Sequence, residues 1–150
     1  MGAEDVKASE ALDAATTDVP ARAAEPEPAH VGAQAVGQRS ILVTIGICTC
    51  NRDTFLGELL ARLEQIDLGT LPPQAVEVVV VDNRPNDATR AVCEAAAVRL
   101  PVRLRYVAEP ERGISPARNR VVAETLAAAA EWLAFIDDDD WPEPDWLRQL

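Results

Sequence analysis

Four consecutive aspartates, Asp137–Asp140, close an apolar run, Trp132-Leu-Ala-Phe-Ile136. Adjacent carboxylates repel one another and cost stability unless a cation neutralises them. Hard divalent ions take oxygen ligands, and Mg²⁺ usually combines one or two carboxylates with substrate phosphates. An Asp-x-Asp at a strand end puts Asp137 and Asp139 on the same side, which favours a metal site over a solvated acidic turn. Three further groups invite chemistry. Asp82 ends a second apolar run, where a carboxylate can accept a hydrogen bond from the imino N–H of a nucleobase or simply start a turn. Asn51 and Arg52 follow a third run, and Asn51 could equally cap a helix. Arg118 falls in the first turn of a predicted helix, where a cation opposes the helix dipole. A surface ion pair and an anionic ligand at that helix N-terminus are both open, and the ligand explains the placement better.

The elements that must position these groups are legible from periodicity. Ile41-Leu-Val-Thr-Ile-Gly-Ile-Cys48 reads as a buried strand, and Leu56, Leu59, Leu60, Leu63 and Ile66 fall on one face of a helix over Asp53–Ile66. Val76–Asp82 is a second buried strand. Asn86 or Asp87 can cap a helix reaching about Arg99. A third strand spans Val102–Val107. Ser115 and Pro116 offer a capping hydroxyl and an N1 proline to a helix reaching about Ala130. Trp132–Ile136 forms the fourth strand, and Pro144-Asp-Trp-Leu147 opens another helix. Alternating strands and helices predict an α/β fold, a Rossmann-like parallel sheet with helices on both faces. Ligands of such sheets bind outside the carboxyl ends of the strands. The polar groups at all four strand ends (Thr49 to Arg52, Asp82 to Arg84, Glu109 to Asn119, and Asp137 to Asp140) therefore converge on one rim.

Composition narrows the partners. The chain has 150 residues, 25 acidic against 14 Lys+Arg, and a net charge of −11, which repels phosphate backbones and argues against nucleic acid as a partner. Residues 1–40 hold seven acidic and three basic residues, Pro20, Pro26 and Pro28, and no aromatic residue. Such a stretch buries too little apolar surface to offset its ordering entropy. It reads as a disordered Ala/Pro/acidic leader to a domain over 41–150. The only histidine, His30, lies in that leader, so a histidine-based site is not expected. Cys48, Cys50 and Cys93 show no CxxC repeat, which argues against a disulfide scaffold or zinc knuckle. No signal peptide or run of about 20 apolar residues is evident. A soluble, reducing, cytoplasmic setting is the expectation, with no transmembrane segment and with peripheral membrane association left open.

Four blocks together carry a resemblance. They are Val43-Thr-Ile-Gly-Ile-Cys-Thr-Cys-Asn-Arg52, Val78-Val-Val-Val-Asp-Asn83, Gly113-Ile-Ser-Pro-Ala-Arg-Asn119, and Phe135-Ile-Asp-Asp-Asp-Asp140 continuing into Pro144-Asp-Trp-Leu147. In this order and spacing they resemble the N-terminal half of family 2 glycosyltransferases, which have the GT-A fold. The resemblance covers about residues 41–150. It implies a nucleotide-diphosphate sugar donor, usually a UDP-sugar, and an acceptor hydroxyl on an unknown sugar, lipid or other molecule. It also implies nucleotide contacts from Thr49, Asn51, Arg52, Asp82, Asn83, Arg118, Asp137 and Asp138, with Asp82 reading the base. Asp137 and Asp139 would hold Mg²⁺ or Mn²⁺. Cys48 stands where the family often has Pro, and Cys50 where it often has an aromatic residue, which removes a stacking surface for the base. The family's catalytic base lies in a later block, beyond Leu150. The chain is thus expected to be a truncated product or the first section of a longer protein, and on its own to bind a nucleotide diphosphate weakly with metal while transferring no sugar.

Other classes fit less well. A non-catalytic nucleotide- or metal-binding module, acting with a partner, is the main alternative. A receiver domain needs a phospho-accepting Asp after its third strand and a later Lys, but that strand ends in Ala108-Glu109 and the only lysine is Lys7. A haloacid-dehalogenase-like enzyme wants Asp-x-Asp after its first strand, which here ends Cys-Thr-Cys-Asn. A nucleotidyltransferase wants a Gly-rich basic loop there, and it is absent.

Overall fold

A computed structural model describes residues 41–150, so the predicted leader and His30 lie outside the described residues. The elements are β1 (Val43–Thr49), α1 (Asp53–Leu63), β2 (Val76–Asp82), α2 (Asp87–Ala97), β3 (Arg103–Ala108), α3 (Ile114–Ala127) and β4 (Trp132–Asp137). The four strands form one parallel sheet in the order β3-β2-β1-β4.

Handedness turns that order into two covered faces. The connections from β1 to β2 and from β2 to β3 step the same way, so right-handed crossovers put α1 and α2 on one face. The return from β3 to β4 steps back across the sheet and puts α3 on the other face. Strand alternation then sorts the side chains. Ile45, Ile47, Val76, Val78 and Val80 pack against Leu56, Leu59, Leu60, Leu63, Cys93 and Ala96 of α1 and α2. Val79 and Val81 pack against Ala117 and Val121 of α3. β2 is buried along its whole length, which explains why its sequence is a near-continuous valine run rather than an alternating one. Gly46 lets α3 close on the sheet, because a Cβ there would collide with Val121.

The α3 face also buries charge. Glu77 is 1% exposed, and the Arg105 guanidinium forks onto it at 3.0 and 3.2 Å. Arg105 also reaches Glu124 of α3 at 2.7 Å, and Thr44 donates to Glu77 at 3.3 Å. The hydrogen bond from Arg105, joined by one from Arg120, holds the Glu124 carboxyl below the usual glutamate range despite its partial burial. A depressed carboxylate contributes stability above its unfolded value and loses it as pH falls through its folded value. The acid limb of a stability profile should therefore lie below the ordinary glutamate range and flatten in Glu124→Gln. Urea midpoints measured stepwise from neutral pH downward check this.

Several element ends depart from expectation. Helix α1 stops at Leu63 rather than Ile66, and α2 stops at Ala97 rather than Arg99. α3 begins at Ile114 with Gly113 as its N-cap and no side-chain cap, so Ser115 is not the cap and Pro116 is third in the helix rather than first. The proline is tolerated because first-turn N–H groups have no intrahelical partner. Asn51 does not cap α1, whose N-cap is Arg52. It takes a left-handed conformation, φ 54°, which asparagine accepts more readily than most residues. Asn86 does cap α2, accepting from the Thr89 N–H at 2.8 Å. Beyond β4 the chain forms turns and a short 3₁₀ segment, Leu147–Gln149, in place of the expected helix. Trp146 packs on the core, whereas Trp141 stays exposed beneath the Arg62 guanidinium.

Candidate functional site

The strand order reverses beside β1: the chain leaves it toward β2 and returns on its other side as β4. The carboxyl ends of β1 and β4 therefore flank a switch-point crevice. A cleft of about 590 Å³ opens there, lined by Thr49, Cys50, Arg52, Asn83, Arg112, Ile114, Arg118, Asp137, Asp138 and Asp139 among others.

The acidic run is organised residue by residue. Asp138 turns inward, 3% exposed, and accepts from the Thr49 hydroxyl at 2.7 Å. Burial raises its carboxyl above the usual aspartate range against the pull of Thr49 and Arg52. Asp137, at the end of β4, and Asp139 and Asp140, in the turn that follows, stay exposed. The Arg52 guanidinium spans the turn, 3.1 Å from Asp138 and 2.6 Å from Asp139, and stacks over Phe55. That hydrogen bond holds Asp139 below the usual range. Arg118 lies over Phe135 and 4.0 Å from Asp137. Two arginines from different elements thus partly offset the repulsion within the run.

Asp82 and Asn83 part company. Asp82 shares the α2 face with Val78 and Val80. It is fully buried, and its oxygens accept from the N–H groups of Arg84 and Asn86 and from the Tyr106 hydroxyl. It does not line the cleft. The next residue, Asn83, falls on the opposite face and does. Arg112 and Ile114 also line the cleft; they sit beside or within the Gly113–Asn119 block, but nothing local marks them as wall residues.

The donor set suits a hard divalent ion only in part. Asp137 and Asp139 are two of the run's three exposed carboxylates, with Asp140 the third, yet no group of three or more His, Cys, Asp or Glu among the described residues is arranged to hold a metal. Two carboxylates fit an ion that keeps its waters and takes phosphate oxygens from a ligand.

The thiols differ sharply. Burial pushes Cys48 up to about 11 and Cys93 up to about 12, while Cys50 lies exposed at the cleft. Since the thiolate is the reactive form, iodoacetamide at pH 8 should label Cys50 well before the other two. Peptide mapping over a time course checks this.

A parallel sheet with one polar cleft at its switch point is the arrangement by which α/β domains hold ligands at the carboxyl edge of their strands. The chain belongs to glycosyl transferase family 2, whose family model matches residues 44–150. It is 33% identical over 109 residues to the succinoglycan biosynthesis protein ExoM of Rhizobium meliloti (strain 1021), covering 72% of this chain and 33% of that one. The mannosyltransferase PcManGT from Pyrobaculum calidifontis, in complex with GDP-Man and Mn²⁺, matches with a TM-score of 0.58 at 30% identity, over 70% of this chain and 30% of that one. S. aureus TarS 1-349 in complex with UDP-GlcNAc matches with a TM-score of 0.56 at 26% identity, over 73% and 30%. The fold is therefore GT-A-like. The chain spans a third or less of the length of the curated relatives it matches.

Proposed function

We propose that residues 41–150 form the donor-binding half of a glycosyltransferase that takes a nucleotide-diphosphate sugar, a UDP-sugar by preference, together with a divalent metal, and passes the sugar to an acceptor hydroxyl. The observation that carries this reading is the switch-point cleft, in which Arg52 and Arg118 face the Asp137–Asp139 carboxylates. Anionic phosphates would meet the two arginines, and Mg²⁺ or Mn²⁺ would be held by Asp137 and Asp139. When bound, such an ion stabilises charge developing on the departing nucleoside diphosphate as a Lewis acid. Thr49 and Asp138 line the cleft on the side proposed for the nucleoside, and Asn83 lines it with its amide held by backbone groups, whereas Asn51 is not among the lining residues. Asp82, spent on its own loop, would act on the base through the loop it braces rather than by contact. The neighbours complexed with UDP-GlcNAc and with GDP-Man and Mn²⁺ support a sugar-nucleotide donor. No residue of 41–150 is proposed as the catalytic base. No described helix is long and apolar enough to cross a membrane.

Calorimetric titration of the chain with UDP, GDP and UDP-sugars, with and without Mn²⁺, tests the proposal. UDP is expected to bind more tightly than GDP, and far more tightly with the metal than without it. Absence of binding by any nucleoside diphosphate in saturating Mn²⁺ would sink it.

A further inference from the structure

The segment between β3 and α3, Glu109–Gly113, is five residues long and forms one wall of the cleft through Arg112 and Gly113. It has few ties of its own. Its first N–H donates to the Asp82 carbonyl at 2.9 Å, and the Glu111 N–H donates to the Glu109 side chain. α3, which continues the wall with Ile114, Ala117 and Arg118, starts without a side-chain cap. Its N-cap, Gly113, has φ 131°, a conformation open in practice only to glycine.

One side chain reaches across this gap. The Asn83 amide nitrogen donates to the carbonyls of Glu109 at 3.4 Å and Glu111 at 2.5 Å, and its carbonyl oxygen accepts from the Gly113 N–H at 2.7 Å. Asn83 thereby contacts the first, third and fifth residues of the segment. Asn83 is itself anchored, since its own N–H donates to the Thr49 carbonyl at 2.8 Å and it is 7% exposed. An amide is the one short side chain able to serve two carbonyls and one N–H together. Removing it would leave these backbone groups without the partner that fixes them.

We infer that Asn83 is a positioning residue: a latch that holds the Glu109–Gly113 segment and the first turn of α3 as the wall of the donor cleft, acting on the ligand through that wall. The inference rests on the donor-binding reading above. Because the amide is consumed by the backbone, Asn83 sets where Arg112 and Arg118 stand rather than reading the ligand itself. Gly113 is the other half of the latch. Its substitution by alanine strains the φ and pushes a Cβ to 3.3 Å from Pro116 Cδ, which displaces the N–H that Asn83 holds.

The test measures hydrogen exchange over residues 109–118 in the free protein, and affinity for UDP in saturating Mn²⁺. The proteins compared are wild type, Asn83→Ala, Asn83→Asp, Gly113→Ala and the double variant Asn83→Ala/Gly113→Ala. Asn83→Ala and Gly113→Ala are each expected to speed exchange in the segment about tenfold or more and to weaken UDP about 5- to 20-fold, with the double variant no worse than either single, since both break one device. Asn83→Asp keeps the size but loses both donors, so it should behave like Asn83→Ala; a wild-type-like Asn83→Asp would overturn the latch in favour of packing. Weakened UDP binding with unchanged exchange would overturn it in favour of direct contact. Multiplied losses in the double variant would overturn the shared device. If wild type binds no nucleoside diphosphate, the donor-binding reading fails instead, and unchanged exchange in Asn83→Ala would then refute the latch separately.

Discussion

Arg105→Met is expected to destabilise the folded domain by about 3–5 kcal/mol, the cost of leaving a buried carboxylate without its partner. Glu77 lies on the α3 face of β2, 1% exposed, with both oxygens engaged by the Arg105 fork. β2 is flanked by a strand on each edge, and Glu77 stays buried although it lines a surface cleft with Arg105 and Glu124. The neighbouring Thr44 hydroxyl, at 3.3 Å, supplies a single neutral donor in place of a charged fork. Arg105 also ties Glu124 of α3 to the sheet, so its loss should loosen the helix that carries Arg118. The companion double variant, Glu77→Met/Arg105→Met, should recover most of the loss, because a buried pair replaced by apolar residues of similar volume is often near neutral. Urea unfolding of both variants decides the matter. A cost below about 1 kcal/mol for Arg105→Met would mean that water reaches Glu77 and that the network is solvated.

The sheet was legible in the sequence because its burial is extreme. The strands of the central pair are apolar runs with polar ends, and each end marks the rim. Helix starts and stops were less legible where their cause is distant. Nothing local distinguishes Ser115 from Gly113 as the cap of α3; the deciding partner, Asn83, is 30 residues away. The same limit applies to Asp82 and Asn83. Adjacent polar residues at a strand end look interchangeable in sequence, but the two-residue period sends one toward Tyr106 and α2 and the other into the cleft. The acidic run shows a third form of it. Sequence supplies the repulsion of four carboxylates, while Arg52 and Arg118, which relieve it, come from elements whose adjacency follows only from β4 pairing with β1.

That pairing sets the second large effect. Asp139→Asn is expected to weaken UDP binding in saturating Mn²⁺ by about 100-fold, while leaving the much weaker metal-free binding within about twofold. Asp139 carries one of the three exposed carboxylates of the run and is one of the two proposed to hold the ion; Mg²⁺ or Mn²⁺ held by so few protein ligands depends on each of them. The carboxylate is not idle before the ion arrives, because Arg52 stands 2.6 Å from it. A metal alone must displace that guanidinium and leave it facing the ion. A metal arriving with a diphosphate gives Arg52 new anionic oxygens to pair with. Metal and nucleotide should therefore bind together, and Mn²⁺ without UDP should bind weakly even to wild type. The exposed Arg52–Asp139 pair contributes little to folding, so Asp139→Asn should unfold at the wild-type urea midpoint, which separates lost binding from lost structure. Calorimetric titrations with and without Mn²⁺, paired with urea melts, provide the reading. An unchanged metal dependence in Asp139→Asn would remove Asp139 from the metal site and leave Asp137 and Asp140 as the exposed carboxylates of the run able to hold the ion.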